Sequence, residues 1–161
     1  MIFKIHFRTA LREIKFLRYK CQHPNIIKMN DVFVKEGSVS LVFEFIDTDL
    51  HKIISDDETL LSAGDIKCLI LQMMHGIAYL HSNWILHRDM KPDNLLISAV
   101  GVLKIADFGL ARNFGLEIYT MTSQVATRWY RAPELLFGAT SYGGNVDMWS
   151  CGCIIAEILQ K

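Results

Sequence analysis

Residues 85–97 read "ILHRDMKPDNLLI": Arg88, Asp89, Lys91 and Asp93 are crowded between two apolar runs. A chain that buries "WIL" on one side and "LLI" on the other must carry the charges in a loop between two short strands, since burying an unpaired charge is costly. A loop on a rigid apolar base is a good way to present side chains. Pro92 stiffens its path. The pattern continues with a turn at 98–101 and a further strand, "VLKIA". Asp107-Phe108-Gly109 follows that strand directly, so a second carboxylate is delivered beside the first loop.

Bulk properties narrow what this polar focus can be. At 161 residues the chain suits one domain or a large piece of one. Lys and Arg total 17 and so do Asp and Glu, so no net field favours nucleic acid or an anionic membrane, and neither is expected as a partner. Phosphate chemistry would need a local site. The apolar share is 51% and mean hydropathy is +0.22, ample for a core. The four cysteines, Cys21, Cys68, Cys151 and Cys153, lack CxxC spacing, which argues against zinc and a disulfide framework. "MIFKIHF" is too short and interrupted for a signal peptide, and no apolar run approaches the roughly 20 residues of a membrane span. A soluble chain in a reducing intracellular compartment is expected.

Periodicity supplies the frame. Leu11, Ile14 and Leu17 predict an amphipathic helix over 8–20. "HPNIIKMNDVFV" and "SVSLVFEFI" read as two strands about a turn at 36–38. Asp49 is placed to cap a short helix through Ser55. Ser62 and Asp65 form a capping-box pattern ahead of the stripe Ile66, Leu69, Ile70, Met73, Ile77 and Leu80, the clearest helix in the chain. A long loop then runs to about Tyr130, with a short helix near Pro133 and a closing apolar helix over 146–159. The element order is α+β.

Together, "HRDMKPDN", "DFG" and "APE" at 132–134 match in order the signature set of eukaryotic protein kinases, and the sequence resembles that family from Arg8 to its end. Within the family, "RTALREI" resembles the cyclin-binding helix of cyclin-dependent kinases. "WILHRD" and "TRWYRAPELLFGA" are most similar to the subgroup that activates other cyclin-dependent kinases and phosphorylates RNA polymerase tails. The fold so implied is a partial kinase fold over 1–161. Residues 1–46 are a remnant N-lobe and hinge, with the cyclin-facing helix and two strands, and 47–161 are a helical C-lobe lacking its last helices.

The resemblance also implies roles. Asp89 matches the base that accepts the substrate hydroxyl proton, Lys91 neutralises charge on the transferring phosphoryl group, and Asn94 and Asp107 hold Mg2+. Thr127 matches the threonine that bonds Asp89 and Lys91. For ATP, Phe43 guards the back pocket, the backbones of Glu44 and Ile46 meet adenine, Asp49 meets the ribose and Leu96 forms the floor. Thr122 matches the activating phosphate acceptor, and Arg12, Arg88 and Arg112 the arginines that clamp it. Arg12 and Glu13 lie on the helix that faces a cyclin. Val125, Ala126 and Arg131 resemble the pocket for proline after the phosphoacceptor, so a proline-directed protein substrate is implied; Ala126 stands where valine is commoner. The nucleus or cytoplasm is the implied location.

Two family features do not occur in these 161 residues: a GxGxxG loop, and the Ala-x-Lys strand whose lysine pairs with Glu13. Lys4 is too near Glu13 to serve, "MIFKIHF" matches nothing in the family, and Glu134 is without its usual arginine partner. The expectation is therefore a piece of a kinase, with strand 39–45 and helix 146–159 presenting surfaces that need cover. Two function classes remain open: a cyclin-dependent serine/threonine kinase, and a non-catalytic module that binds a cyclin or competes with the intact enzyme.

Overall fold

The computed structural model describes residues 2–5, 14, 22–35, 38–114 and 121–161. The helix expected over 8–20, with Arg12 and Glu13, lies outside these residues except for Ile14, which is helical and packs on the main core.

Three antiparallel strands come first: β1 (Ile2–Ile5), β2 (Met29–Lys35) and β3 (Ser38–Phe43), in the order β1-β3-β2. The sequence reading counted two strands here and left 39–45 in need of a partner. Instead β1 pairs along one side of β3 (Ile2↔Val42 to Ile5↔Val39) and β2 along the other, so β3 is the central strand. Val39, Ser40, Leu41 and Phe43 are buried accordingly. In this register Lys4 pairs with Ser40.

Beyond the 44–47 connection, Thr48–Asp49 forms β4 and Leu50–Ser55 forms α1. Asp49 caps α1 as expected, its carboxylate accepting from Lys52 N at 2.9 Å. Helix α2 spans Ala63–Ser82 with both halves of the Ser62/Asp65 capping box formed. Its buried face is Leu69, Met73, Gly76, Ile77 and Leu80. Gly76 is required by close approach: a Cβ there would meet Ile105 Cδ1 at 2.6 Å and the Asn25 carbonyl at 3.1 Å. This is where α2 packs against the "HPN" segment and the strand ahead of "DFG".

Four short strands follow: β5 (Ile85–Leu86), β6 (Leu95–Ile97), β7 (Leu103–Ile105) and β8 (Arg112–Asn113). β6 pairs with β7, and outside that hairpin β5 pairs with β8. Two unpaired segments, 87–94 and 106–111, are thereby trapped face to face between an inner and an outer ladder. Helices α3 (Pro133–Leu136) and α4 (Asn145–Gln160) close the described chain. The main core runs from Val39 and Phe43 through α2 to Ile154 and Ile158, and a smaller one joins Val125, Ala132, Leu135 and Val146 with Tyr142 against it. On α4, Met148, Trp149 and Leu159 are exposed, as anticipated. Among the described residues no helix is long and apolar enough to cross a membrane.

Two of the helical glycines, Gly76 and Gly152, make a paired test. Gly76→Ala should destabilise by about 1–3 kcal/mol through overpacking, despite alanine's better helix propensity. Gly152→Ala, where an added Cβ meets nothing within 4 Å, should stabilise by up to about 1 kcal/mol. Thermal melts of the two variants should move in opposite directions.

Candidate active site

The two trapped segments are joined by three bonds. His87 Nε2 donates to the Ala106 carbonyl at 2.9 Å, Ala106 N donates to the Asn94 carbonyl at 2.9 Å, and Arg88 Nε donates to the Leu110 carbonyl at 2.7 Å. With Nε2 as the donor, His87 Nδ1 is free to accept from Asp89 N, at 3.3 Å. Phe108 is fully buried and meets His87 edge-on. Asn94, in the first segment, and Asp107, which follows Ala106, are held at the same junction.

Asp89 is the centre of this arrangement. It is buried, and donors hold both its oxygens: Thr127 N and Oγ1 reach Oδ1 at 3.1 and 3.3 Å, and Asn94 Nδ2 reaches Oδ2 at 3.3 Å. Lys91 Nζ is 3.6 Å from Oδ2 in a partly exposed, loose ion pair. Asp89, Lys91, Asn94 and Thr127, separate in sequence, are therefore one cluster. Asn94 Nδ2 also donates to the Asp89 carbonyl at 2.8 Å. With its nitrogen engaged on this side, the amide oxygen is the group left for a cation. Asp107 is exposed and accepts from Gly109 N at 3.2 Å. One amide oxygen and one carboxylate are hard donors that fit magnesium, an ion that takes few protein ligands and completes its shell with phosphate and water.

The expected nucleotide residues fall along the connection between the first sheet and the rest. Glu44 N donates to the Lys28 carbonyl at 3.0 Å. Its carboxylate accepts from Lys28 N and pairs with Lys104 Nζ, both at 2.8 Å. Among the described residues the Glu44 carbonyl and the Ile46 N–H have no hydrogen-bond partner, so these two backbone groups remain for a ligand. Asp49 pairs with Leu96 across β4 and β6, setting ribose and floor candidates side by side. Asp49 is also occupied as the α1 cap. Partial burial pushes its carboxyl up, but the Lys52 side chain and backbone bonds and charge outweigh this and hold it below the usual carboxylate range.

Thr122 is exposed. Arg88 is buried, with no carboxylate partner for its side chain among the described residues, and Arg112 lies on β8 opposite Leu86. Val125 is in the small core, and the Ala126 carbonyl accepts from Arg131 Nη2 at 2.8 Å. Among the described residues, four other than glycine have positive φ: Trp84 (57°), Arg88 (69°), Asp107 (61°) and Ala126 (62°). Three of them flank the Asp89 cluster. Such strain costs about 1–3 kcal/mol each and persists where the surroundings over-determine it.

Asp147 shows what over-determines Arg88, and the sequence reading did not single it out. Its carboxylate is 1% exposed inside apolar helix α4. It accepts from Arg88 N at 2.8 Å, His87 N at 2.9 Å and His81 Nε2 at 2.8 Å. One helical turn further on, the Cys151 thiol is pushed up to about 12, first by burial and then by the Asp147 charge. The available signal was a carboxylate one residue after Val146 in an apolar helix.

Asp89 is thus a buried carboxylate held by Thr127 and Asn94, with Lys91 beside it and a second carboxylate, Asp107, on the neighbouring segment. Residues 3–161 match the protein kinase domain, and the chain belongs to that family. Among its relatives are Cyclin-dependent kinase 7 of Xenopus laevis, 56% identical over 96% of this chain and 44% of that protein, and Serine/threonine-protein kinase KIN28 of Saccharomyces cerevisiae, 48% identical over 95% of this chain and 50% of that one. The chain spans about half the length of the curated relatives it matches. A solved structure of the CAK complex from Chaetomium thermophilum bound to ATP-gamma-S superposes with a TM-score of 0.90 at 43% identity, covering 99% of this chain and 53% of the other.

Asp147→Asn should leave a buried N–H facing an amide donor, cost about 2–4 kcal/mol and release the 87–89 backbone. Denaturant titration, with hydrogen exchange at His87 and Arg88, checks both effects.

Proposed function

We propose that the chain carries the phosphoryl-transfer site of a cyclin-dependent serine/threonine kinase, acting on Ser or Thr of protein substrates in the nucleus or cytoplasm. The observation that carries this reading is the clasp on Asp89: both oxygens are fixed by Thr127 and Asn94, beside Lys91 and across the junction from Asp107. Phosphoryl transfer asks a protein mainly for positioning and charge neutralisation.

Asp89 receives the proton of the substrate hydroxyl, and its fixed orientation sets where that hydroxyl sits. Lys91 Nζ lies beside it to neutralise negative charge as the phosphoryl group moves. Asn94 Oδ1 and Asp107 are the cation-holding pair. The Glu44 carbonyl and Ile46 N–H offer one acceptor and one donor to the adenine edge, above Leu96. ATP with magnesium supplies the γ-phosphoryl group, its charge partly neutralised. Arg131 holds the Ala126 carbonyl inward, so the strained backbone there offers no acceptor to the residue after the phosphoacceptor; this suits proline, which has no N–H to give. A cyclin is the partner for the segment around Arg12 and Glu13.

The test uses the chain with a cyclin, Mg2+ and ATP. Asp89→Asn should reduce transfer about 10²–10⁴-fold while sparing nucleotide affinity. Asp107→Asn should abolish the magnesium dependence of nucleotide binding as well as transfer. Equal loss of nucleotide binding in both would refute the division of roles. Cyclin capture without nucleotide binding or transfer would favour the non-catalytic module.

Thr122→Ala and Arg112→Ala should each lower cyclin-dependent activity, and the double variant should lose no more than the worse single one. Additive losses would separate the two residues.

A further inference from the structure

The proposed switch contains a residue that the resemblance does not assign. Tyr142 lies in the loop between α3 and α4, its ring packed against Val125, Ala132, Leu135 and Val146. Its hydroxyl donates to the Thr122 carbonyl at 2.6 Å and accepts from Arg88 Nη1 at 3.0 Å. The neighbouring Met121 N donates to the Thr140 carbonyl at 2.8 Å, so the same loop holds the segment at two points.

From this geometry we propose that Tyr142 is a positioning residue, a neutral tether that links the loop of Asp89 to the Thr122 segment before phosphorylation and is superseded by phosphate after it. The inference rests on the reading of Thr122 as phosphate acceptor.

The electrostatics favour two holding states. The buried Arg88 guanidinium has no carboxylate among the described residues; its bonds go to the Leu110 carbonyl and the Tyr142 hydroxyl, both neutral. A buried cation resting on dipoles alone is under-compensated. A phosphate brings about −1.5 to −2 charges and three acceptor oxygens, and outcompetes a phenol for Nη1. Thr122 is presented for this exchange. Its carbonyl accepts from Tyr142, while its exposed Oγ1 accepts, among the described residues, only a 3.3 Å bond from Gln124 N. A phenylalanine would fill the same apolar space, so the hydroxyl is the part that packing does not explain.

The test is Tyr142→Phe in the full chain with a cyclin, compared with wild type after phosphatase treatment and after stoichiometric Thr122 phosphorylation. In the unphosphorylated form kcat should fall about 3- to 10-fold, as for loss of one hydrogen bond, with the KM for ATP unchanged and faster amide exchange over 121–125. In the phosphorylated form both differences should vanish. Equal loss in both forms, or no change in exchange in the unphosphorylated form, would overturn the tether. If wild type shows no transfer or Thr122 accepts no phosphate, the functional reading has failed, while the exchange comparison on unphosphorylated protein still decides the tether. Should the variant not fold, 3-fluorotyrosine placed at 142 provides a second readout. Its ¹⁹F resonance should shift on Thr122 phosphorylation, and an unmoved resonance would count against the proposal.

Discussion

The site depends on one buried carboxylate. Asp147 sits on a helix whose inner face is otherwise Val146, Ser150, Cys151, Ile154 and Ile158, and it spends both oxygens on the backbone of the loop opposite. Buried polar groups are tolerated when they are bonded. Here the acceptor and the N–H groups of His87 and Arg88 satisfy each other. The bond to Arg88 N also holds that residue at a φ of 69°, where a side chain other than glycine is strained. From that kink the next residue, Asp89, turns into the cluster with Asn94 and Thr127. Helix α4 thus fixes the loop's path, and the path fixes where the carboxylate of Asp89 points.

Strands of two and three residues cannot hold two polar loops in register by themselves. Their nesting is what lets them serve: the inner ladder closes one end of the 87–94/106–111 pair and the outer ladder the other. Of the apolar residues of those strands, Ile85, Leu86, Leu95, Ile97, Leu103 and Ile105 are buried and Leu96 is half-buried, several of them against α2. Charge concentrated at 88–93 is therefore carried on a frame whose stability comes from its flanks. Gly76 sets how closely α2 approaches that frame, so packing at a helix reaches the strand that positions Asp107.

Much of this was legible because it is local. Capping and 3.6-residue periodicity placed the helices that became α1, α2 and α4, since Asp49, Ser62 and Asp65 act on their own backbones. Motif order placed Asp89, Asn94 and Asp107, because each lies at a fixed offset from a strand end. What was not legible depends on partners distant in sequence. Strand β1 could not be seen in "MIFKIHF", since four residues have no strand identity without β3 beside them. Asp147 was not singled out, because the N–H groups that accompany its burial lie some 60 residues away. Tyr142 and Lys104 escaped for the same reason: a hydroxyl and an ammonium gain meaning only from Thr122, Arg88 and Glu44.

Glu44 shows how such partners narrow chemistry rather than merely add stability. The residue begins the link between the first sheet and the rest of the chain. Its N–H is spent on Lys28, and its side chain is spent on Lys28 N and Lys104, which lies on β7 three residues before Asp107. Only its carbonyl is left outward. Ile46, its side chain buried, has its N–H without a hydrogen-bond partner among the described residues. The Glu44 carbonyl and the Ile46 N–H thus offer a backbone acceptor and a backbone donor, and the exposed Phe45 side chain stands between the two in sequence. Under the proposed function, recognition there falls to peptide groups whose spacing is set by the backbone. The Glu44–Lys104 bridge ties this edge to β7, the strand that leads to Asp107.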